Sequence, residues 1–145
     1  MAMTDGAYEF HLDLLTSFDA RPPGGGGGVV SMDDGVRTFR RMVADGSVGG
    51  PGIVRVTLRL DVDTVVVTDA ASGDEIDRFP FSMMGQVSEV VSERSSAPFH
   101  NVLTFTVLED AFQMAPPEMY FFQCHDMPVI SLSVGLYFHL IIIII

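Results

Sequence analysis

The chain contains one segment with the periodicity of an α-helix, set among about seven short segments with the two-residue periodicity of β-strands. The clearest strand pattern is Val54 to Leu60, where apolar residues alternate with Arg55, Thr57 and Arg59. This alternation is typical of a strand with one buried and one solvated face. Similar patterns predict strands over 8–18, 54–60, 65–67, 75–79, 86–93, 101–108 and 118–124.

The helical segment is expected to begin after Ser31 and to end near Asp45. The Ser31 hydroxyl can accept a hydrogen bond from an amide of the first turn, and Asp33 and Asp34 place negative charge at the positive end of the helix dipole. Glycines at 46, 49, 50 and 52 end the pattern. Apolar residues at three- and four-residue spacing predict one buried face: Met32, Val36, Phe39 and Val43.

This inventory predicts an α+β domain that is mainly β. Short connections favour an antiparallel meander, and one helix cannot cover a βαβ layer. A twisted sheet of about seven strands tends to curl into a sandwich or barrel that hides its edges. We therefore expect a barrel-sandwich with one helix after the first strand.

The charge balance limits the partners of the chain. There are 19 acidic residues against 8 arginines, with no lysine, and the formal net charge is -11. Nucleic acid requires clustered cations, so we expect no nucleic-acid binding and at most weak contact with a membrane. The single cysteine and the lack of a secretory pattern in 1–10 indicate a cytoplasmic protein.

Two patterns could indicate catalysis. The glycine run 24–28 precedes a helix, but a phosphate-binding loop also needs a lysine, so we interpret this run as a flexible loop. Cys124 and His125 are adjacent, and adjacent strand residues point to opposite faces. Cys124 is therefore expected to be a buried, unreactive cysteine, and no enzyme activity is predicted.

No metal or cofactor is expected. The four histidines, which lack the spacing of a helical zinc pair, are His11, His100, His125 and His139. Asp61, Asp63 and Asp69 lack the spacing of a calcium loop and are expected to be solvated carboxylates in turns.

A set of short motifs between Tyr8 and Asp126 resembles a known family in order and spacing. These motifs are Tyr8-Glu9-Phe10-His11-Leu12, Leu15-Thr16-Ser17-Phe18, Asp33-Asp34-Gly35-Val36-Arg37, Phe79-Pro80-Phe81-Ser82 and Pro117-Glu118-Met119-Tyr120-Phe121-Phe122-Gln123-Cys124. The chain resembles the phosphotyrosine-binding (PTB) domain of the epidermal growth factor receptor kinase substrate eight family of cytoskeletal adaptors. The resemblance implies a PH-like fold over 8–128.

The same resemblance implies a protein-interaction module, without cofactor and monomeric, that takes part in receptor or actin-cytoskeleton signalling. Such domains bind an extended Asn-Pro-x-Tyr-like segment of a receptor tail or adaptor protein, which pairs with a sheet edge as an additional strand. Arg94 is the only cation near the strand that would receive the peptide, and Glu89 and Glu93 adjoin it. Binding is therefore expected to be independent of phosphotyrosine. The residues implied at the receiving strand are Gln86, Val87, Ser88, Glu89, Val90, Val91, Ser92 and Arg94.

The segment 129–145 departs from the family, which closes with an amphipathic helix. It is largely apolar and ends in five isoleucines. It is compatible with a short bilayer span, with a buried strand, or with sequence foreign to the domain. Without a polar face, it is not expected to form a wall of the peptide groove.

A phosphoinositide-binding membrane adaptor is the alternative function, because PH-like folds also bind lipid headgroups. Arg37, Arg40 and Arg41 on the predicted helix would provide the cations. Three arginines on a helix are more often a solvated face, so peptide binding is the preferred prediction.

Overall fold

The computed structural model describes residues 2–4, 7–22, 24, 28–61, 63–90, 99, 101–108 and 115–125, with the backbone alone for 2–4, 7 and 8. Its strands are β1 (Ala2–Thr4), β2 (Ala7–Asp19), β3 (Val54–Leu60), β4 (Thr64–Asp69), β5 (Glu75–Pro80), β6 (Met84–Val90), β7 (Val102–Val107) and β8 (Glu118–Cys124). Its helices are α1 (Met32–Ala44) and two 3-10 turns, η1 (Gly50–Gly52) and η2 (Phe81–Met83). The predicted tail 129–145 lies outside the described residues.

The strands form an antiparallel sheet in the order β5-β4-β3-β2-β8-β7-β6. Strand β1 pairs with β2 but is not part of this order. The predicted mainly β composition, antiparallel pairing and single helix after the first long strand are confirmed in the described part of the chain. The sheet is not closed into a barrel, so the closed form of the prediction is wrong. Here β5 ends at Pro80, which lacks an amide donor, and the chain turns through η2 to the opposite end of the sheet.

One face of each strand from β2 to β8 contributes to a common inner core. Its largest fully buried members include Phe81, Phe105 and Phe122. The rings of Phe105 and Phe122 stack with centroids 5.6 Å apart. Because strands from both ends of the order supply this cluster, the sheet must bend around it.

A β-bulge at Leu15 gives β2 a part in a second core. Leu14 pairs with Phe122 but Thr16 pairs with Phe121, so Leu15 is the extra residue. Before the bulge, Phe10 and Leu12 face the inner core, whereas Leu15 and Phe18 belong to the second core. The bulge thus changes which residues of β2 face each side.

Helix α1 covers this second core. Asp34 N donates to Ser31 Oγ at 3.1 Å, which confirms the predicted start, and Asp45 caps the other end. Phe39 is buried and stacks on Phe121 at 4.2 Å with an interplanar angle of 4°. The other predicted apolar positions, Met32, Val36 and Val43, pack against the same cluster.

Gly35 lets α1 approach the sheet closely. A Cβ at this position would overlap the Sδ and Cε atoms of Met119, which is fully buried. Alanine normally stabilises a helix interior by about 1 kcal/mol relative to glycine. Overpacking a core typically costs about 1–3 kcal/mol, so the overlap should outweigh the helix preference.

We therefore expect Gly35→Ala to lower the free energy of unfolding by up to about 2 kcal/mol, as measured by urea denaturation. Met119→Ala should remove the penalty, so that Gly35→Ala becomes neutral or stabilising in that background. The matched control is Gly52→Ala, where a Cβ would meet no atom within 4 Å. Equal effects of Gly35→Ala with and without Met119 would contradict the close approach.

Candidate functional site

Strand β6 carries most of the residues predicted to receive a peptide. Gln86 to Val90 lie within it, whereas Val91, Ser92 and Arg94 lie outside the described residues. Within the described chain, β6 pairs with β7 and with no other strand. The structure therefore places these five residues at one end of the sheet.

The side chains of β6 connect this edge to both cores. Val87 packs against the inner core, while Val90 packs against the second core. Gln86 is exposed, and Ser88 Oγ donates to the carbonyl oxygen of Glu89 at 3.4 Å. The edge is thus anchored by two valines and bears polar side chains between and beside them.

The pairing of β6 is regular over its second half. Met84 pairs with Val107 but Val87 pairs with Phe105, so β6 carries one extra residue at Gly85–Gln86. From Val87 to Val90 the register is continuous. In an antiparallel ladder, alternate residues of such a stretch direct their N–H and C=O groups away from the neighbouring strand. Two of these four residues can therefore offer backbone groups at the edge.

The candidate lipid-binding arginines lie on exposed parts of α1. Arg37 Nη1 forms an ion pair with Asp34 Oδ1 at 2.9 Å, and both side chains are more than half exposed. Arg40 and Arg41 are also exposed. The helix therefore presents arginine and aspartate together.

Cys124 and His125 occupy different environments. Cys124 is buried in the inner core, and burial raises the pKa of its thiol to about 11. His125 Nε2 instead lies 2.6 Å from Asp13 Oδ2, and Arg55 Nε donates to Asp13 Oδ1 at 2.7 Å. Burial raises the pKa of Asp13, but the hydrogen bonds and charges of His125 and Arg55 together outweigh it, and the pKa is lowered. The prediction of a buried cysteine is confirmed.

The remaining predicted polar residues fall into separate places. Asp69 Oδ1 accepts hydrogen bonds from the amides of Ala71 and Ser72, as expected of a turn carboxylate. Asp61 pairs with Arg59, and Asp63 accepts from the Thr64 hydroxyl. His11 lies beside Thr57, while His100 and His139 are outside the described residues. Among the residues that are described, no three His, Cys, Asp or Glu side chains could share a metal ion.

A cleft that the sequence did not indicate lies between β5 and the adjacent ends of β7 and β8. It has a volume of about 110 Å³. Asp77 and Glu118 supply carboxylates, and the Tyr120 hydroxyl donates to Asp77 Oδ2. One signal was available: Asp77 lies two residues before Phe79, a core residue, and therefore shares its face of the strand.

Both carboxyl groups have raised pKa values. Burial is the main cause for Asp77; the charge of Glu75 adds to it, and the Arg78 amide opposes it. Burial is also the main cause for Glu118, followed by the charges of Asp77 and Asp19. The cleft therefore disfavours the ionised state of both acids.

No protein-family model matches the chain, and no curated protein sequence matches it either. The family resemblance accordingly stays a prediction. No helix in the described ranges is long and apolar enough to cross a membrane.

The raised pKa of Glu118 predicts a stabilising substitution. The folded state binds this proton more tightly than the unfolded state, so stability is gained as pH falls through the folded pKa and is lost above it. We expect Glu118→Gln to raise the urea midpoint at pH 7, with a difference from the unaltered chain that shrinks toward pH 4. Glu89→Gln is the control, and an equal rise in that variant would contradict a local origin.

Proposed function

We propose that the chain is a PH-like protein-interaction module of the PTB type that binds an extended peptide by strand addition along β6. The observation that carries this proposal is the position of Met84–Val90 at the end of the strand order, with β7 as its only partner in the described chain. Main-chain hydrogen bonds would provide affinity, and pockets beside β6 would select the peptide side chains. The strand order and the single helix are consistent with this fold.

The opposite edge, β5, is a poorer acceptor for a peptide. Its pairing with β4 is interrupted at Ile76, the extra residue between Glu75 and Asp77. Pro80 ends the strand, and the charged side chains of Glu75 and Arg78 are exposed along it. Since a bulge, a proline and charges are devices that block edge pairing, the regular stretch Val87–Val90 is the favoured edge.

The ligand proposed from the family resemblance is an Asn-Pro-x-Tyr-like segment of a receptor tail or adaptor protein. Glu89 is the charged residue within described β6, and it would face a phosphate with the same sign of charge. Unphosphorylated tyrosine is therefore the proposed form of the ligand.

Phosphoinositide binding receives less support from the helix. The pairing of Arg37 with Asp34 and the formal net charge of -11 both weaken attraction to an anionic surface. Pelleting with phosphoinositide vesicles would test this alternative, and loss of pelleting in Arg40→Gln and Arg41→Gln variants would favour it over peptide binding.

If the peptide adds to β6 as a strand, every second backbone amide of the peptide should contribute to binding. A short Asn-Pro-x-Tyr peptide is N-methylated at one amide at a time, and affinities for the full chain are measured by calorimetry. Methylation at every second position should weaken binding roughly tenfold, because those amides donate to β6, while the intervening positions should tolerate it. A loss without two-residue periodicity would contradict strand pairing.

The location of the site is tested by two proline substitutions. Val90→Pro, which removes an amide donor from β6, should abolish peptide binding in a variant that still folds by circular dichroism. Ile76→Pro is the matched control, because it places proline in the bulge of the other edge strand. Binding that survives Val90→Pro and is lost with Ile76→Pro would place the peptide on β5.

Tyrosine phosphorylation of the same peptide should leave affinity unchanged or reduce it, because Glu89 repels the added charge. Glu89→Gln should lessen any reduction. Calorimetry with both peptide forms measures the difference, and a tenfold gain on phosphorylation, about 1.4 kcal/mol, would overturn this part of the proposal.

A further inference from the structure

The cleft between β5 and the ends of β7 and β8 has apolar walls and an acidic interior. Phe79, Met83, Val107 and Pro116 contribute apolar surface. Tyr120 also lines the cleft, but its ring is buried against other rings of the inner core. An enclosed apolar cavity of about 150 Å³ accommodates benzene. A volume of about 110 Å³ is therefore of the scale of one small planar or alkyl group.

Asp77 has hydrogen-bond donors, and neither Asp77 nor Glu118 forms an ion pair within the described chain. Asp77 accepts from the Tyr120 hydroxyl and from the Arg78 amide. The Arg78 guanidinium also lines the cleft, but it donates to Glu75, with Nη2 at 2.7 Å and Nε at 2.9 Å from Oε1. The two carboxyl groups of the cleft thus share partial burial without an ion pair between either of them and Arg78.

A ligand that complements this arrangement must be cationic, flat or narrow, and partly apolar. The raised pKa values of Asp77 and Glu118 indicate that burial and neighbouring negative charges are not offset by a counter-charge. A guanidinium is more weakly hydrated than an ammonium and binds carboxylates through a planar fork. An ammonium would lose more hydration energy on entering the same walls.

We propose that this cleft binds an alkylguanidinium group, such as the side chain of an arginine, with Asp77 and Glu118 as its counter-ions and the apolar lining in contact with its alkyl part. Its lining includes no residue of the stretch Val87–Val90, and the proposal does not depend on the proposed peptide function. An acidic chain without lysine attracts cationic ligands, which agrees with this chemistry.

The direct probe is n-butylguanidinium chloride, added to the full chain at constant ionic strength and followed by amide NMR shifts. Saturable shifts are expected at 77–79, 107–108 and 118–120. At equal concentration, n-butylammonium should bind more weakly. Shifts that do not saturate, or that spread over the acidic surface without favouring these residues, would overturn the proposal.

Three variants separate the effect of a carboxylate in the cleft, the effect of the space in the cleft and the effect of the net charge of the chain. Glu118→Gln should weaken n-butylguanidinium binding roughly tenfold. Ala115→Leu, which keeps both carboxyl groups but fills the lining of the cleft, should weaken it similarly. Asp33→Asn makes the same change in net charge on exposed α1 and should have no effect. Equal weakening in Asp33→Asn, or unchanged binding in both cleft variants, would refute the site.

The source of the guanidinium and the independence from β6 are tested in the same titration. The blocked tripeptide Gly-Arg-Gly should bind at least as well as n-butylguanidinium if the ligand is a polypeptide side chain, and more weakly if the site accepts a small molecule. Val90→Pro should leave n-butylguanidinium binding unchanged. Loss of binding in a folded Val90→Pro variant would contradict a separate site.

Discussion

The burial of both faces of β8 is the constraint on which the rest of the fold depends. Phe122 faces the inner core and Phe121 faces the second core, and both are fully buried. Each such ring contributes about 1.5–3 kcal/mol by leaving water. A strand with two apolar faces needs a layer on each side, so the sheet must bend around one face and α1 must cover the other. The stack of Phe39 on Phe121 fixes where the helix lies.

Bulges allow other strands to pack around β8, which is buried on both faces. The extra residue at Leu15 allows one long strand to supply apolar side chains to both cores, which a strict two-residue alternation would not permit. The bulges in β5 and β6 have another consequence, since they interrupt pairing near the two ends of the sheet. One end is left irregular and ends in proline, while the other keeps a regular stretch.

Much of the fold could be predicted because its signals are local. The Ser31 cap, the apolar face around Phe39 and the alternation in Val54–Leu60 each depend on residues within a few positions of one another. Strand β1 was missed because three residues, Ala2–Thr4, are too short to display a period. The failure of the sheet to close was also missed, since closure depends on twist and on pairing between distant strands.

The candidate sites also depend on contacts between residues that are distant in sequence, which local patterns do not predict. The sequence could propose β6 through a family resemblance, but its position at the end of the sheet follows from the order of all the strands. The cleft joins Asp77 with Glu118 and Tyr120, residues about forty positions apart on strands that do not pair and that the bending of the sheet brings together. No local pattern could reveal this, apart from the shared face of Asp77 and Phe79.

Polar groups without ideal partners occur near both ends of the sheet. Beside β6, the fully buried Thr104 hydroxyl has no hydrogen-bond partner among the described residues and lies opposite Ser88 in the ladder. Such a group costs about 1–3 kcal/mol. Near β5, Asp77 and Glu118 are held where their charged forms are disfavoured. The apolar side chains of β8 are buried in both cores, so these exceptions do not arise from a generally poor core. Local conflicts in an otherwise consistent fold tend to mark places that bind something, and here they adjoin the two surfaces proposed to bind a peptide and a guanidinium group.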